Sequence, residues 1–248
     1  MDDLFQTPTP RLPFLLPRFP GYRAEWNEQW HGFDVEIPQG KFFYSESFFN
    51  RKWSDRALEY FQENELLDWK IADWRKVSAD CLEDIKFRNI KWKQDYLKLY
   101  GKNIPLPRLT SWYGDIGKSY QYSGIKSDPH PWNKGLQHIK ERIEECADHA
   151  FNCVLLNWYR DGQDSLNWHA DDERELGLNP VIASANFGAT RDFLIRKNDD
   201  NSQKLSLPLK HGTLLIMKGE MQHFWQHSIP KRANVRGSRF NLTFRTIN

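Results

Sequence analysis

Between residue 153 and the C-terminus the chain is cut into seven short apolar segments: 153–159, 181–187, 191–196, 204–209, 213–217, 222–227 and 239–246. Each has the length of a strand, and Gly, Pro, Asn or Asp stands at its ends. Segments this short cannot form separate helices, and closely spaced strands of this kind pair into antiparallel sheets. Helical periodicity is confined to the first 151 residues. Ala57, Leu58, Phe61, Leu66 and Leu67 recur at helical intervals after a Ser-Asp start, which places an N-cap near Ser54. Over 137–151 Ile139, Ile143, Cys146 and Ala147 share one helix face. The stretch 68–84 is open between helix and irregular insertion; 90–93 reads as a strand entry and 101–105 as a turn. The expectation is an α+β chain built around a double-sheet antiparallel barrel.

Residues 1–40 hold six of the thirteen prolines. Repeated proline favours extended chain, so the stretch 1–40 is expected to be a poorly ordered extension or a strap lying on the domain, followed by one domain over 41–248. That domain divides into a helical part, 41–106, and a core, 107–248. The balance of 39% hydrophobic and 27% charged residues is that of a globular chain. A net charge of +2 supplies no overall field for a polyanion, so phosphate contacts would have to come from local clusters: Lys102, Arg108, Lys118, Lys126 and Lys134, or Lys231, Arg232 and Arg236. Three cysteines without zinc or disulfide spacing fit a reducing compartment. No apolar run approaches the roughly 18 residues of a membrane span, and the N-terminus lacks the pattern of a secretory signal.

His169-Ala170-Asp171 carries the chemistry, with His227 as a distant second imidazole and His223 as its competitor. Two imidazoles and one carboxylate can occupy one face of an octahedral metal and leave positions open, the ligand pattern of non-haem Fe(II) oxygenases. Zinc also accepts three protein ligands, so these residues alone leave the metal open. Arg239 and Arg245 lie six apart on the last apolar segment and therefore on one face of a strand. A buried guanidinium there is suited to a carboxylate.

The ordered strings PRLTSWYGD (107–115), SYQYSG (119–124), LNWYRDGQDSLNWHADDE (156–173), ASANFGATRDF (183–193), LKHGTLLIM (209–217), WQHSIPK (225–231) and RFNLTFRT (239–246) carry a specific resemblance. Over about 107–246 the chain resembles the AlkB-type Fe(II)/2-oxoglutarate dioxygenases, and within them the subgroup of human AlkB homologues two and three. The resemblance implies a double-stranded β-helix, or jelly roll, with N-terminal helices packed on one side. It implies a direct-reversal repair enzyme using Fe(II), 2-oxoglutarate and O2 to demethylate 1-methyladenine and 3-methylcytosine in DNA, with RNA open. His169, Asp171 and His227 would be the metal ligands, His227 being favoured over His223 by the Ser-Ile-Pro that follows it. Asn157 and Tyr159 would bind 2-oxoglutarate, Arg239 its distal carboxylate with Asn241 alongside, and Arg245 would lie near its chelating end. Tyr122 would cover the target base, Tyr120 would lie near backbone phosphate, and Glu173 would approach the exocyclic amino group. The partner would be alkylated nucleic acid, met by a monomer in the cytoplasm, or in the nucleus of a eukaryote. Two rivals stand beside this reading: a dioxygenase of the same fold acting on a protein, lipid or small molecule, and a non-catalytic nucleic-acid-binding module.

Overall fold

Alternation along three strands decides where everything else packs. The computed structural model describes residues 10–68, 70–77, 81, 84–99, 101–117, 120–122 and 125–248, with the side chains at 98, 99, 120–122 and 125–127 outside that description. In chain order the strands are β1 (Arg23–Asn27), β2 (Gly32–Ile37), β3 (Gly40–Ser45), β4 (Tyr96–Leu99), β5 (Lys102–Pro105), β6 (Leu109–Gly114), β7 (Tyr120–Tyr122), β8 (Ile125–Ser127) and β9 (His130–Pro131). They continue with β10 (Cys153–Tyr159), β11 (Leu166–His169), β12 (Ile182–Gly188), β13 (Arg191–Lys197), β14 (Lys204–Leu209), β15 (Leu214–Lys218), β16 (Trp225–Ile229) and β17 (Arg239–Arg245). Among the described residues, helices include α1 (Arg51–Gln62), α2 (Lys134–Ala147) and the single turn α3 (Met221–Phe224).

A nine-stranded sheet, β1-β2-β3-β15-β12-β17-β10-β6-β9, faces a four-stranded sheet, β11-β16-β13-β14. At the centre of the larger one β17 lies between β10 and β12, with Asn157, Asn241 and Asn186 in one cross-strand row. Because strand side chains alternate between faces, two cores result. Val154, Leu156, Trp158, Phe240, Leu242 and Phe244 point outward and pack with Phe61 of α1 and with Leu136, Ile139 and Ile143 of α2. Phe61 sits 5.5 Å from the Phe187 ring and 5.4 Å from Phe240. The opposite face joins Leu155, Tyr159, Ile182 and Leu215 to Phe193, Ile195, Leu207 and Trp225 of the smaller sheet. Polar residues of the same three strands, Asn157, Ser184, Asn186, Arg239, Asn241, Thr243 and Arg245, share that inner face and are all buried. The expected jelly roll with helices on one side is this arrangement.

Several local expectations are corrected. Helix α1 is capped by Asn50, whose side chain accepts from Trp53 N at 2.9 Å, and Ser54 instead turns inward to donate to Phe49 O. Of the stretch 1–40, residues 1–9 lie outside the described residues; the rest is not a poorly ordered tail but the strap alternative, supplying β1 and β2 to the large sheet and packing Phe14 edge-on to Tyr44 at 5.2 Å. The part expected to be helical, 41–106, carries β3, β4 and β5 as well as α1. The 101–105 turn is β5, reached through Gly101 at φ +78°. The 222–227 strand begins only at Trp225, because α3 precedes it. Arg108, considered for phosphate contact, is 2% exposed.

Candidate metal centre

β11 and β16 pair with a register shift that sets His169 directly opposite His227. Their imidazoles therefore share the inner face of the smaller sheet, with ring centroids 4.2 Å apart. Asp171 follows two residues after β11 ends, and the donor atoms of His169, Asp171 and His227 all lie within 4.8 Å of one another. Among the described residues this is the one His, Cys, Asp and Glu cluster with metal-ligand spacing. The competitor His223 sits on α3, is exposed, and meets the carbonyl of Leu178.

The donors are in the forms a divalent cation takes. His169 Nδ1 lies 2.8 Å from Asn167 O; donating there leaves Nε2 with its lone pair toward the cluster. Burial lowers His227 to about 3, with His169 and Arg245 adding to the fall and Asp171 opposing it, so its imidazole is neutral at ordinary pH. Burial works to raise the Asp171 carboxyl, but Arg245 and the two imidazoles outweigh it and the net shift is downward. Arg245 Nη2 donates to Asp171 Oδ1 at 2.6 Å, while Oδ2 stands 3.9 Å from His227 Nε2. Two imidazole nitrogens and one carboxylate oxygen on one side of a cavity fit a facial metal site.

The cavity continues past the cluster along β10 and β17 to Tyr159 and Arg239, with Leu155, Leu166, Phe193, Met217 and Ile229 as its apolar walls. Arg239 is 2% exposed. Its Nη2 donates to Asn186 Oδ1 at 2.6 Å, but Nε and Nη1 are buried without a hydrogen-bond partner, as is the Tyr159 hydroxyl. The guanidinium carbon stands 4.9 Å from the centre of the Tyr159 ring. Burial pushes this guanidinium down to about 10, with the nearby Arg191 adding to the fall and Tyr159 opposing it. Buried donors with no acceptor cost about 1–3 kcal/mol each, so this end is incomplete without an anion.

Between the two ends runs a chain of amides. Arg108 Nε donates to Asn157 Oδ1 at 2.8 Å, which turns Asn157 Nδ2 toward Asn241 Oδ1 at 3.3 Å, and Asn241 Nδ2 donates to Ser184 Oγ at 2.8 Å. Every residue expected to touch iron or 2-oxoglutarate thus lines one cavity. Ser184, Asn186, Thr243 and Arg108 were not anticipated. Ser184 and Asn186 alternate with Ala183, Ala185 and Phe187, and that polar alternation was their signal; Arg108 had none. Glu173 caps the turn Arg174–Leu176, and its Oε2 is buried without a hydrogen-bond partner. The side chains of Tyr120 and Tyr122 lie outside the described residues, and β7 places only their backbone. Trp112 and Tyr113 are buried in the two cores.

With this geometry the chain's family follows. Residues 74–245 match the 2OG-Fe(II) oxygenase superfamily, and the chain belongs to that superfamily and, within it, to the AlkB homologues. It is 46% identical over 190 residues to the alpha-ketoglutarate-dependent dioxygenase alkB homolog 3 of Mus musculus, covering 73% of this chain and 63% of that protein. It is 41% identical over 200 residues to the DNA oxidative demethylase ALKBH2 of Homo sapiens, covering 70% and 77%. This chain thus spans less than two thirds of the length of the alkB homolog 3 relative. The solved structure of OsALKBH1 shares the fold at a TM-score of 0.50 and 16% identity, over 83% of this chain and 96% of that one. Among the described residues no helix is long and apolar enough to cross a membrane.

Proposed function

We propose that this chain is an Fe(II)- and 2-oxoglutarate-dependent dioxygenase that demethylates N-alkylated bases, 1-methyladenine and 3-methylcytosine, in DNA, with RNA as the second candidate substrate. One observation carries the reading: the three-ligand cluster and a buried guanidinium with unsatisfied donors face one cavity. His169, Asp171 and His227 would hold the iron, which with 2-oxoglutarate and O2 supplies the oxidation of the N-methyl group that is then lost as formaldehyde. Arg239 Nε and Nη1 and the Tyr159 hydroxyl receive the distal carboxylate, which completes their hydrogen bonding. Asn157, oriented by Arg108, offers its Nδ2 to the chelating half, with Asn241 and Arg245 beside it. Holding the cosubstrate at both ends fixes one orientation before oxidation begins. The apolar walls keep bulk water from that space.

Glu173 is assigned to the base. Its buried Oε2 is an acceptor in want of a donor, and the exocyclic amino group of adenine or cytosine supplies one. Tyr122 is assigned to stacking on the extruded base and Tyr120 to backbone phosphate; a methylated base pairs poorly and is the easier to extrude. A monomer in the cytoplasm, or in the nucleus of a eukaryotic host, completes the reading. Mass spectrometry of methylated single- and double-stranded DNA and RNA, incubated with Fe(II) and 2-oxoglutarate, is the test. Loss of one methylene mass (CH2) per lesion is expected on 1-methyladenine and 3-methylcytosine. Succinate formation with no change in any oligonucleotide would redirect the reading to another substrate class.

A further inference from the structure

Asp171 is the metal-cluster residue that no sheet holds. His169 and His227 are fixed by cross-strand pairing, whereas Asp171 stands two residues past the end of β11. Its carboxylate is drawn from one side by Arg245, on the larger sheet. Its backbone is held from the other side by Gln222, whose Oε1 accepts the Asp171 N–H at 3.0 Å. Gln222 lies on α3, five residues before His227 on the same run of chain, and is 1% exposed. Its Nε2 rests 3.6 Å from the sulfur of Met217, a wall of the metal cavity. The neighbouring His223 meets the Leu178 carbonyl, so α3 grips the segment after Asp171 at two points.

We propose that Gln222 is a positioning residue that ties the Asp171 turn to the strand of His227 and thereby sets the metal affinity of the cluster. Arg245 alone fixes the carboxylate but not the backbone that carries it. A turn released at its N–H can follow the Arg245 pull toward the larger sheet and take Oδ2 away from the imidazoles. With Gln222 in place, backbone and side chain are held from opposite sides, and Oδ2 stays on the cavity side. Partners of this kind, one step removed from the ligands, typically govern 10–100-fold in metal affinity.

The proposal rests on the metal reading of the cluster, so the probe is Mn(II) itself, titrated calorimetrically into metal-free protein. The parent should bind, and Gln222→Met, which fills the space with only a weak thioether acceptor, should bind about 10–100-fold more weakly with its melting temperature nearly kept. Gln222→Glu restores an acceptor for the Asp171 N–H and should escape the loss of about 10–100-fold. If Gln222→Met unfolds, Gln222→Asn, which withdraws the amide by one methylene, should show the loss instead. A folded Gln222→Met or Gln222→Asn that binds Mn(II) like the parent overturns the positioning role and leaves the cluster intact. Equal losses in Gln222→Met and Gln222→Glu overturn it too, because the acceptor would then be irrelevant. A parent that binds no Mn(II) overturns the metal reading before the role of Gln222 arises.

Discussion

Replacing Arg239 by Met should make the ligand-free protein more stable while destroying its hold on 2-oxoglutarate. Arg239 is buried, charged, and satisfied at one nitrogen out of three. The drop of its guanidinium from its ordinary range to about 10 corresponds to a penalty of about 3 kcal/mol on the charged form. A cation whose folded value is depressed weakens the fold wherever it stays protonated. The penalty is therefore present in full at neutral pH and fades only as pH rises above about 10 toward the ordinary guanidinium range. Methionine fills much of the volume without charge. The loss is one hydrogen bond to Asn186, about 1 kcal/mol, which leaves a net gain of about 2 kcal/mol, or roughly 4–8 °C in melting temperature for a chain of this size. Against this, a carboxylate deprived of its buried partner loses about 3–5 kcal/mol of binding, a weakening of about a hundredfold to several thousandfold. Thermal melts and calorimetric titration of 2-oxoglutarate into the Mn(II)-loaded protein measure both. A variant that melts well below the parent and binds 2-oxoglutarate as tightly would refute the assignment of this end of the cavity.

Alanine at His169, Asp171 or His227 should abolish turnover and weaken Mn(II) binding, whereas His223→Ala should keep most activity; the reverse pattern at His223 and His227 would show the ligand assignment to be wrong. Tyr122→Ala should lose about 1–3 kcal/mol of substrate interaction with 2-oxoglutarate binding unchanged, and Tyr122→Phe should be milder, as read by demethylation kinetics on matched oligonucleotides. Glu173→Ala should impair 1-methyladenine and 3-methylcytosine more than lesions without an exocyclic amino donor; equal effects on all lesions would remove Glu173 from base recognition. Phe14→Ala should cost about 3 kcal/mol of stability, visible in denaturant melts; an unchanged midpoint would mean that the proline-rich segment does not anchor on Tyr44.

The strand-length segments from 153 onward and the arginine pair were legible because each depends on local periodicity or on residue type, whereas the choice of His227 over His223 came from the family resemblance. Along β17 an alternation of Arg, Asn, Thr and Arg with Phe, Leu and Phe defines two faces without any tertiary information. Segments bounded by turn residues announce themselves in the same way, which is why six of the seven fell within a residue or so of their strands. What the sequence could not determine is pairing between distant segments. That Arg108 would meet Asn157, that Gln222 would cap the Asp171 turn, and that Phe14 would lie on Tyr44 all depend on contacts across 49, 51 and 30 positions. A buried Arg and an exposed one are identical as letters; burial decided that Arg108 orients an amide inside the fold instead of meeting phosphate. The proline-rich start left tail and strap both open for the same reason, since proline restricts the backbone but cannot say whether a neighbouring aromatic finds a hydrophobic partner. Residue types and the family resemblance supplied the candidate donors His169, Asp171 and His227, and only the packing of two sheets brought their donor atoms within 4.8 Å of one another, beside a buried guanidinium with unsatisfied donors.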